Sequence, residues 1–311
     1  MGNKRKIAFI DLRIDWAFKY IFGTRGNEDM LLLLVQSILP DKNITSVELS
    51  NRENVGLRPE SRKSVFDIAC RTSSGMLLNI EMQYKQQDDF NNRLLFYSTF
   101  PILNSIPPGD ADANTFDPDP LCMIGITNFV LKRIRQNDDF INCYRIQNVK
   151  DAGIVFTDSV SYITVELPKF KKSRDELKTD ADRLFFTLLN IGTMKVMPKE
   201  FAGTKLEKLY RLCNFAAMSE LFQMEYIREW MAQVIERSCE RTAIEESRAK
   251  GLAEGRAKGL AEGRAEGRAE GRAEGVTAEK HQMAKRLREL GISPDVIADA
   301  SGLTVEEIKA L

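Results

Sequence analysis

Apolar and polar positions along this chain follow two rhythms, and the switch between them outlines the fold. Ile14, Ala17, Phe18, Ile21 and Phe22 recur with the spacing of one helix face. Met30 to Leu39 is a second apolar helical run ended by Pro40, so residues 13–39 are predicted to form two helices broken near Gly23 to Gly26. A strand is expected over Ile44 to Asn51. Two short, β-branched runs follow, Ser64 to Thr72 and Met76 to Gln83, with Ser73-Ser74-Gly75 between them; this is a hairpin signal. Helical spacing returns over Asp89 to Leu103, where Leu94, Phe96, Tyr97 and Phe100 supply apolar surface. Ile106 to Pro120 is rich in Pro, Gly and Asp and reads as a loop. Leu121 to Leu131 reads as a core strand, followed by strand-like pieces at Cys143 to Val149 and Ser161 to Leu167. The alternation of the last piece suits an edge position. From Ser173 the pattern is helical to the end. Strands flanked by helices, then helices alone, predict a mixed α/β core with an α-helical tail.

The tail contains a repeat. Seven glycines, Gly251, Gly255, Gly259, Gly263, Gly267, Gly271 and Gly275, recur every four residues, mostly with Arg-Ala-Glu between them. A four-residue period overshoots one helical turn by about 40°, and each glycine costs a helix interior roughly 1 kcal/mol relative to alanine. Arg264, Arg268 and Arg272 form one stripe and Glu262, Glu266, Glu270 and Glu274 another, offset by two residues, or about 200° around a helix. Opposite charges placed so pair better between helices than within one. Both a self-association stem and a low-complexity spacer fit. Beyond it, Asp295 to Thr304 resembles a small helix-turn-helix, and Thr304 with Glu307 fits a capping box. The last helix carries only Lys309 as a base, which favours packing or oligomerisation over DNA reading. The expected divisions are a core over 1–200, a helical extension over 201–247, the repeat over 248–276 and a helical module over 277–311.

Composition narrows the chemistry. With 311 residues, 43% hydrophobic and 29% charged, the chain suits one or two globular domains. The single histidine, His281, lies in the polar C-terminal region, which removes histidine-pair acid–base cleavage, multi-histidine zinc sites and a serine–histidine relay in the core. Formal net charge is zero, so nucleic-acid binding would rest on local basic groups. Candidates are Lys4-Arg5-Lys6, Arg58 with Arg62 and Lys63, Lys132-Arg133 with Arg135, and Lys169 with Lys171, Lys172 and Arg174. Five scattered cysteines without Cys-x-x-Cys spacing fit a reduced compartment, and no apolar run is long enough for a membrane span. A soluble, cytoplasmic protein is expected.

The hairpin carries the candidate chemistry. Pairing Thr72 with Met76 sets Asp67 directly opposite Glu81, and Gln83 shares that face. Neither strand offers a lysine or arginine from that face, so the two acids repel unless a cation sits between them. A hard divalent ion such as Mg²⁺ would answer that need; an exposed face with two solvated acids would remove it.

The order and spacing of these segments resemble the PD-(D/E)XK nuclease core. More narrowly, they resemble the Rpn family of recombination-promoting nucleases, or PD-(D/E)XK nuclease family transposases, which show an aspartate on one strand and Glu-x-Gln on the next. The likeness includes Asp67 and Ile80-Glu81-Met82-Gln83, the opening Asp15-Trp16-Ala17-Phe18-Lys19 segment, and Arg93 with Tyr97 after the core strands. It covers most of the chain and is strongest over about the first hundred residues. It implies a restriction-endonuclease-like mixed-sheet core and a DNA endonuclease linked to recombination or mobile DNA. It also implies Mg²⁺, with Mn²⁺ as a substitute, held by Asp67, Glu81 and a backbone carbonyl near Met82. Asp15, Lys19, Arg93 and Tyr97 become accessory residues, and Gln83 stands where the wider superfamily has lysine. A neutral amide orients water but is no cation, so a nuclease-like fold kept as a DNA-binding or protein-interaction module is the competing expectation. The tail adds self-association as an expected partner property.

Overall fold

The structure is a computed structural model that describes residues 7–50, 67–105, 118–132 and 137–311. Ser64 to Phe66 of the predicted hairpin, residues 106–117 of the predicted loop, and Lys4, Arg5, Lys6, Arg58, Arg62, Lys63, Arg133 and Arg135 lie outside the described residues. Packing divides the chain into two units, Met1–Ala232 and Gln233–Leu311.

The first unit begins with helices α1 (Asp15–Phe22) and α2 (Glu28–Ile38), which bury the apolar faces read from their spacing. Strands β1 (Val47–Leu49), β2 (Ile68–Thr72) and β3 (Leu77–Gln83) follow, then α3 (Phe90–Ser105) and β4 (Leu121–Thr127). Next come β5 (Ile141–Gln147), β6 (Val155–Glu166), α4 (Asp180–Asn190) and α5 (Lys205–Leu212). Among the described residues these strands form one six-stranded sheet in the order β1-β2-β3-β4-β6-β5. The β3–β4 and β4–β6 pairs are parallel and the rest antiparallel. A parallel neighbour requires a crossover, and α3 supplies it between β3 and β4.

The hairpin register is the one the sequence implies. Thr72 N–H donates to the Met76 carbonyl at 2.9 Å, and Ile68 pairs with Ile80. Gly75 closes the turn at φ +84°, where a side chain would be strained. One sheet face, with Ile68, Cys70, Leu78, Ile80, Ile124, Ile126, Ile163 and Val165, joins α1, α2, α4 and α5 in the main core. The opposite face meets α3 through Phe90, Leu94, Leu121 and Met123.

One expectation is overturned. The strand around Tyr162 to Leu167 is not an edge: β6 lies between β4 and β5, and β5 is the edge. Its polar positions look solvent-facing in sequence but find partners inside. The Tyr162 hydroxyl bonds Ser98 Oγ at 2.8 Å, and fully buried Glu166 accepts from Leu131 N–H at 2.8 Å and pairs with Lys169 at 2.9 Å. Phe201, Leu206, Leu209, Tyr210 and Cys213 belong to the main core, and Ile10 N–H donates to the Cys213 carbonyl at 3.0 Å.

The long helix α6 (Glu220–Glu289) runs continuously through the glycine repeat. In the second unit, its last turns bury Ala284 with Ile297 of α7 (Pro294–Ser301) and Ile308 of α8 (Val305–Ala310). The Thr304–Glu307 capping box opens α8, as the sequence implies. Among the described residues no helix is long and apolar enough to cross a membrane.

Candidate active site

Asp67 stands immediately before β2, and Glu81 and Gln83 lie two apart on β3, so strand alternation turns both β3 side chains to the α3 side of the sheet. Asp67 and Glu81 side chains are each only 8% exposed. Asp67 Oδ2 accepts from the Met82 backbone N–H at 2.6 Å, and Oδ1 pairs with Lys19 Nζ at 2.9 Å. Lys19 Nζ also reaches Asp15 Oδ2 at 2.9 Å. Glu81 Oε1 is bound by Arg93 Nη2. The same guanidinium donates to Gln83 Oε1 at 3.3 Å and to Gln87 Oε1, and it lies 5.5 Å from the centre of the Tyr97 ring. Gln83 Nε2 donates to the Lys85 carbonyl at 3.2 Å.

The structure thus brings together Asp15, Lys19, Asp67, Glu81, Gln83, Arg93 and Tyr97, with the backbone of Met82 beside Asp67. The expectation of two acids without a protein cation does not hold. Arg71 of β2 shares their face by alternation, but it turns to the Gly75 carbonyl at 2.8 Å and Asp119 at 2.7 Å. The cations come instead from helices: α1 delivers Lys19 to Asp67 and α3 delivers Arg93 to Glu81. In sequence, Asp15 and Lys19 resemble an ordinary i,i+4 surface pair; the fold adds Asp67 to them. Two contributors escaped the sequence reading. Gln87 anchors Arg93, and no sequence signal marks it. Gly125 on β4 is the register partner of Glu81, and a Cβ there would lie 2.6 Å from Phe90 Cε1. A glycine inside an apolar strand is a readable sign of such close approach.

Burial dominates the electrostatics. It holds the Asp67 carboxyl well above the usual aspartate range; nearby Asp15 adds to the rise, while Lys19 and the Met82 N–H oppose it. Burial also raises Glu81, against the pull of Arg93. Lys19 is disfavoured by burial, yet Asp67 and Asp15 outweigh this and keep it charged. Burial falls hardest on Asp67, which is driven toward its neutral form. Glu81 Oε2 is buried and accepts no hydrogen bond. A buried, unpartnered carboxylate oxygen is costly unless something outside the chain binds it.

Those donors fit a hard divalent ion. Among the described residues no three His, Cys, Asp or Glu side chains gather as metal ligands. The oxygens present are those of the Asp67 and Glu81 carboxylates and the strand carbonyls, the hard donor type that Mg²⁺ takes together with water. The Met82 N–H points at Asp67, and a strand residue turns its carbonyl to the same side as its N–H.

The family model for PD-(D/E)XK nuclease family transposases matches residues 12–239. No curated protein and no solved structure matches the chain.

Proposed function

The chain belongs to the PD-(D/E)XK nuclease family transposases, and from that membership we propose a metal-dependent DNA endonuclease serving recombination or mobile DNA. The observation that carries the reading is the buried, unpartnered Glu81 Oε2. Asp67, Glu81 and the Met82 carbonyl would hold Mg²⁺, or Mn²⁺ in its place. Such an ion lowers the pKa of bound water and polarises a phosphoryl oxygen.

The chain's own groups do the rest. Gln83 gives its oxygen to Arg93 and its amide N–H to the Lys85 carbonyl, so it orients water or phosphate as one member of that linked set. Arg93 supplies the fixed positive charge that the wider superfamily draws from lysine, now brought in from α3. A guanidinium suits that task because its planar fork spans two acceptors at once. Lys19 balances Asp67 and Asp15 and stands ready to offset charge developing on phosphate. Tyr97 supports Arg93 through its ring face.

The competing reading, a nuclease-like fold acting as a DNA-binding or protein-interaction module, draws on the same ion pairs, because both acids already have cations. Nicking of supercoiled plasmid with Mg²⁺ or Mn²⁺ separates the two. Metal-dependent nicking supports the nuclease; binding without nicking supports the module.

A self-associating tail completes the proposal. Gly251, Gly255, Gly259, Gly263, Gly267, Gly271 and Gly275 have nothing within 4 Å of an added Cβ, and each lies about 40° further around the helix than the last, so a second copy would approach a few neighbouring glycines at a time. Lys250–Glu254 and Lys258–Glu262 pair within α6 at 3.9 and 3.8 Å. Among the described residues, Arg264, Arg268 and Arg272 form no such pair, as their two-residue offset from glutamate requires.

A further inference from the structure

We propose that the first two turns of α6 clamp α1 and so set the position of Lys19, with Phe222 and Tyr226 as positioning residues of the active site.

Helix α1 has only eight residues, too few to hold a fixed conformation without packing. One face, Ala17, Phe18, Ile21 and Phe22, is buried in the main core. Asp15 and Lys19 form the active-site pair. Trp16 and Tyr20 each follow one of these residues, about 100° further around the helix. Their rings stack on each other at 5.1 Å with planes 7° apart.

Helix α6 grips this aromatic pair. Phe222 lies 4.9 Å from Tyr20 and 6.2 Å from Trp16, and Tyr226 lies 6.2 Å from Trp16. Trp16 Nε1 donates to Glu225 Oε2 at 3.2 Å. Tyr226 is 2% exposed, and its hydroxyl accepts from the Asp11 backbone N–H at 2.9 Å, fixing the chain just before α1. Asp11 is pinned in turn: Arg13 grips both its oxygens at 2.9 and 2.8 Å, and Gly192 packs so closely that an added Cβ would lie 2.6 Å from Asp11 Cβ. Arg13 also reaches Asn128 Oδ1 at 3.3 Å, and Asn128 N–H donates to the Gln83 carbonyl at 3.0 Å.

Core packing fixes one side of α1 and α6 the other. Without α6, Trp16 and Tyr20 lose their contacts with Phe222, Glu225 and Tyr226 and α1 can roll, carrying Lys19 away from Asp67. The consequence for rate rests on the nuclease reading; the consequence for Lys19 does not.

The test uses the full-length chain with Phe222→Ala, Phe222→Tyr and Glu225→Leu. Met224→Ala is the control, since Met224 is 69% exposed and makes none of these contacts. Lys19 acetylation is followed by mass spectrometry, beside plasmid-nicking kinetics. Phe222→Ala should raise the Lys19 acetylation rate several-fold and lower kcat about tenfold with KM little changed. Phe222→Tyr should restore both, and Met224→Ala should match wild type. If Phe222→Ala loses its cooperative melt, Glu225→Leu decides, since it removes the acceptor for Trp16: a smaller rise in Lys19 acetylation supports the clamp and no rise overturns it. Unchanged Lys19 acetylation in the folded variant overturns the clamp. A wild type that never nicks DNA overturns the nuclease instead, while the acetylation result still decides the clamp.

Discussion

Replacing Gly125 with alanine adds one methyl group where α3 rests on the sheet. The new Cβ would lie 2.6 Å from Phe90 Cε1, 2.7 Å from Phe90 Cζ and 2.8 Å from Leu94 Cδ1. Carbon atoms settle at about 3.5 to 4.0 Å, so these side chains must retreat by about 1 Å. Both are buried, Phe90 fully and Leu94 to 2% exposure, so sideways relief is small. Overpacking of this kind costs about 1–3 kcal/mol. Arg93 immediately precedes Leu94 on α3, and its guanidinium holds Glu81, the register partner of Gly125. A retreat of α3 therefore draws Arg93 off the acid. Misplacement by about 1 Å at a reacting centre can lower rate on the order of 100-fold. The assay is chemical denaturation for stability and Mg²⁺-dependent plasmid nicking for rate. Adding Phe90→Leu, which shortens the side chain nearest the new methyl, should recover part of both losses. A Gly125→Ala protein with wild-type stability and wild-type nicking would refute the packing argument.

Gln83→Leu removes the acceptor for Arg93 and should depress nicking sharply; Gln83→Lys should depress it as well, because an ammonium would face the guanidinium. Burial raises Asp67, so without divalent ion its contribution to stability is fully present below the ordinary aspartate pKa, about 3.9, and is lost as pH rises through the raised folded value. Asp67→Asn should therefore melt no lower than wild type at neutral pH and lose that advantage in acid, as calorimetry across pH would show. Truncation just before Arg248 should leave a folded monomer, whereas the full chain should associate at low ionic strength, as read by light scattering across a salt series.

The hairpin was legible because its determinants are local. A three-residue turn ending in Gly75 and two alternating runs fix the register as far as Ile68 opposite Ile80, one residue short of Asp67 and Glu81. The apolar faces of α1 and α2 were legible for the same reason, since helical spacing is a local property. The cations were legible only through the family likeness, which names Lys19 and Arg93, and not through spacing. Lys19 and Arg93 reach the acids only after α1 and α3 pack against the sheet, and no spacing rule links residue 19 to 67 or 93 to 81. The interior place of β6 was hidden because Tyr162 and Glu166 read as solvent-facing, while Ser98, Leu131 and Lys169 satisfy them inside. The part played by α6 at the site was equally hidden, because Phe222 and Tyr226 stand far along the chain from the Trp16 they hold.

The most direct test of the central claim is nicking of supercoiled plasmid by the purified full-length chain across a Mg²⁺ series, beside Asp67→Asn and Glu81→Gln. Both substitutions keep side-chain size and remove the charge a divalent ion needs. The account predicts metal-dependent nicking by wild type, its loss in both variants, and cooperative melts in all three. Nicking that persists in either folded variant, or a wild type that binds DNA without cutting it at any metal concentration, would contradict it.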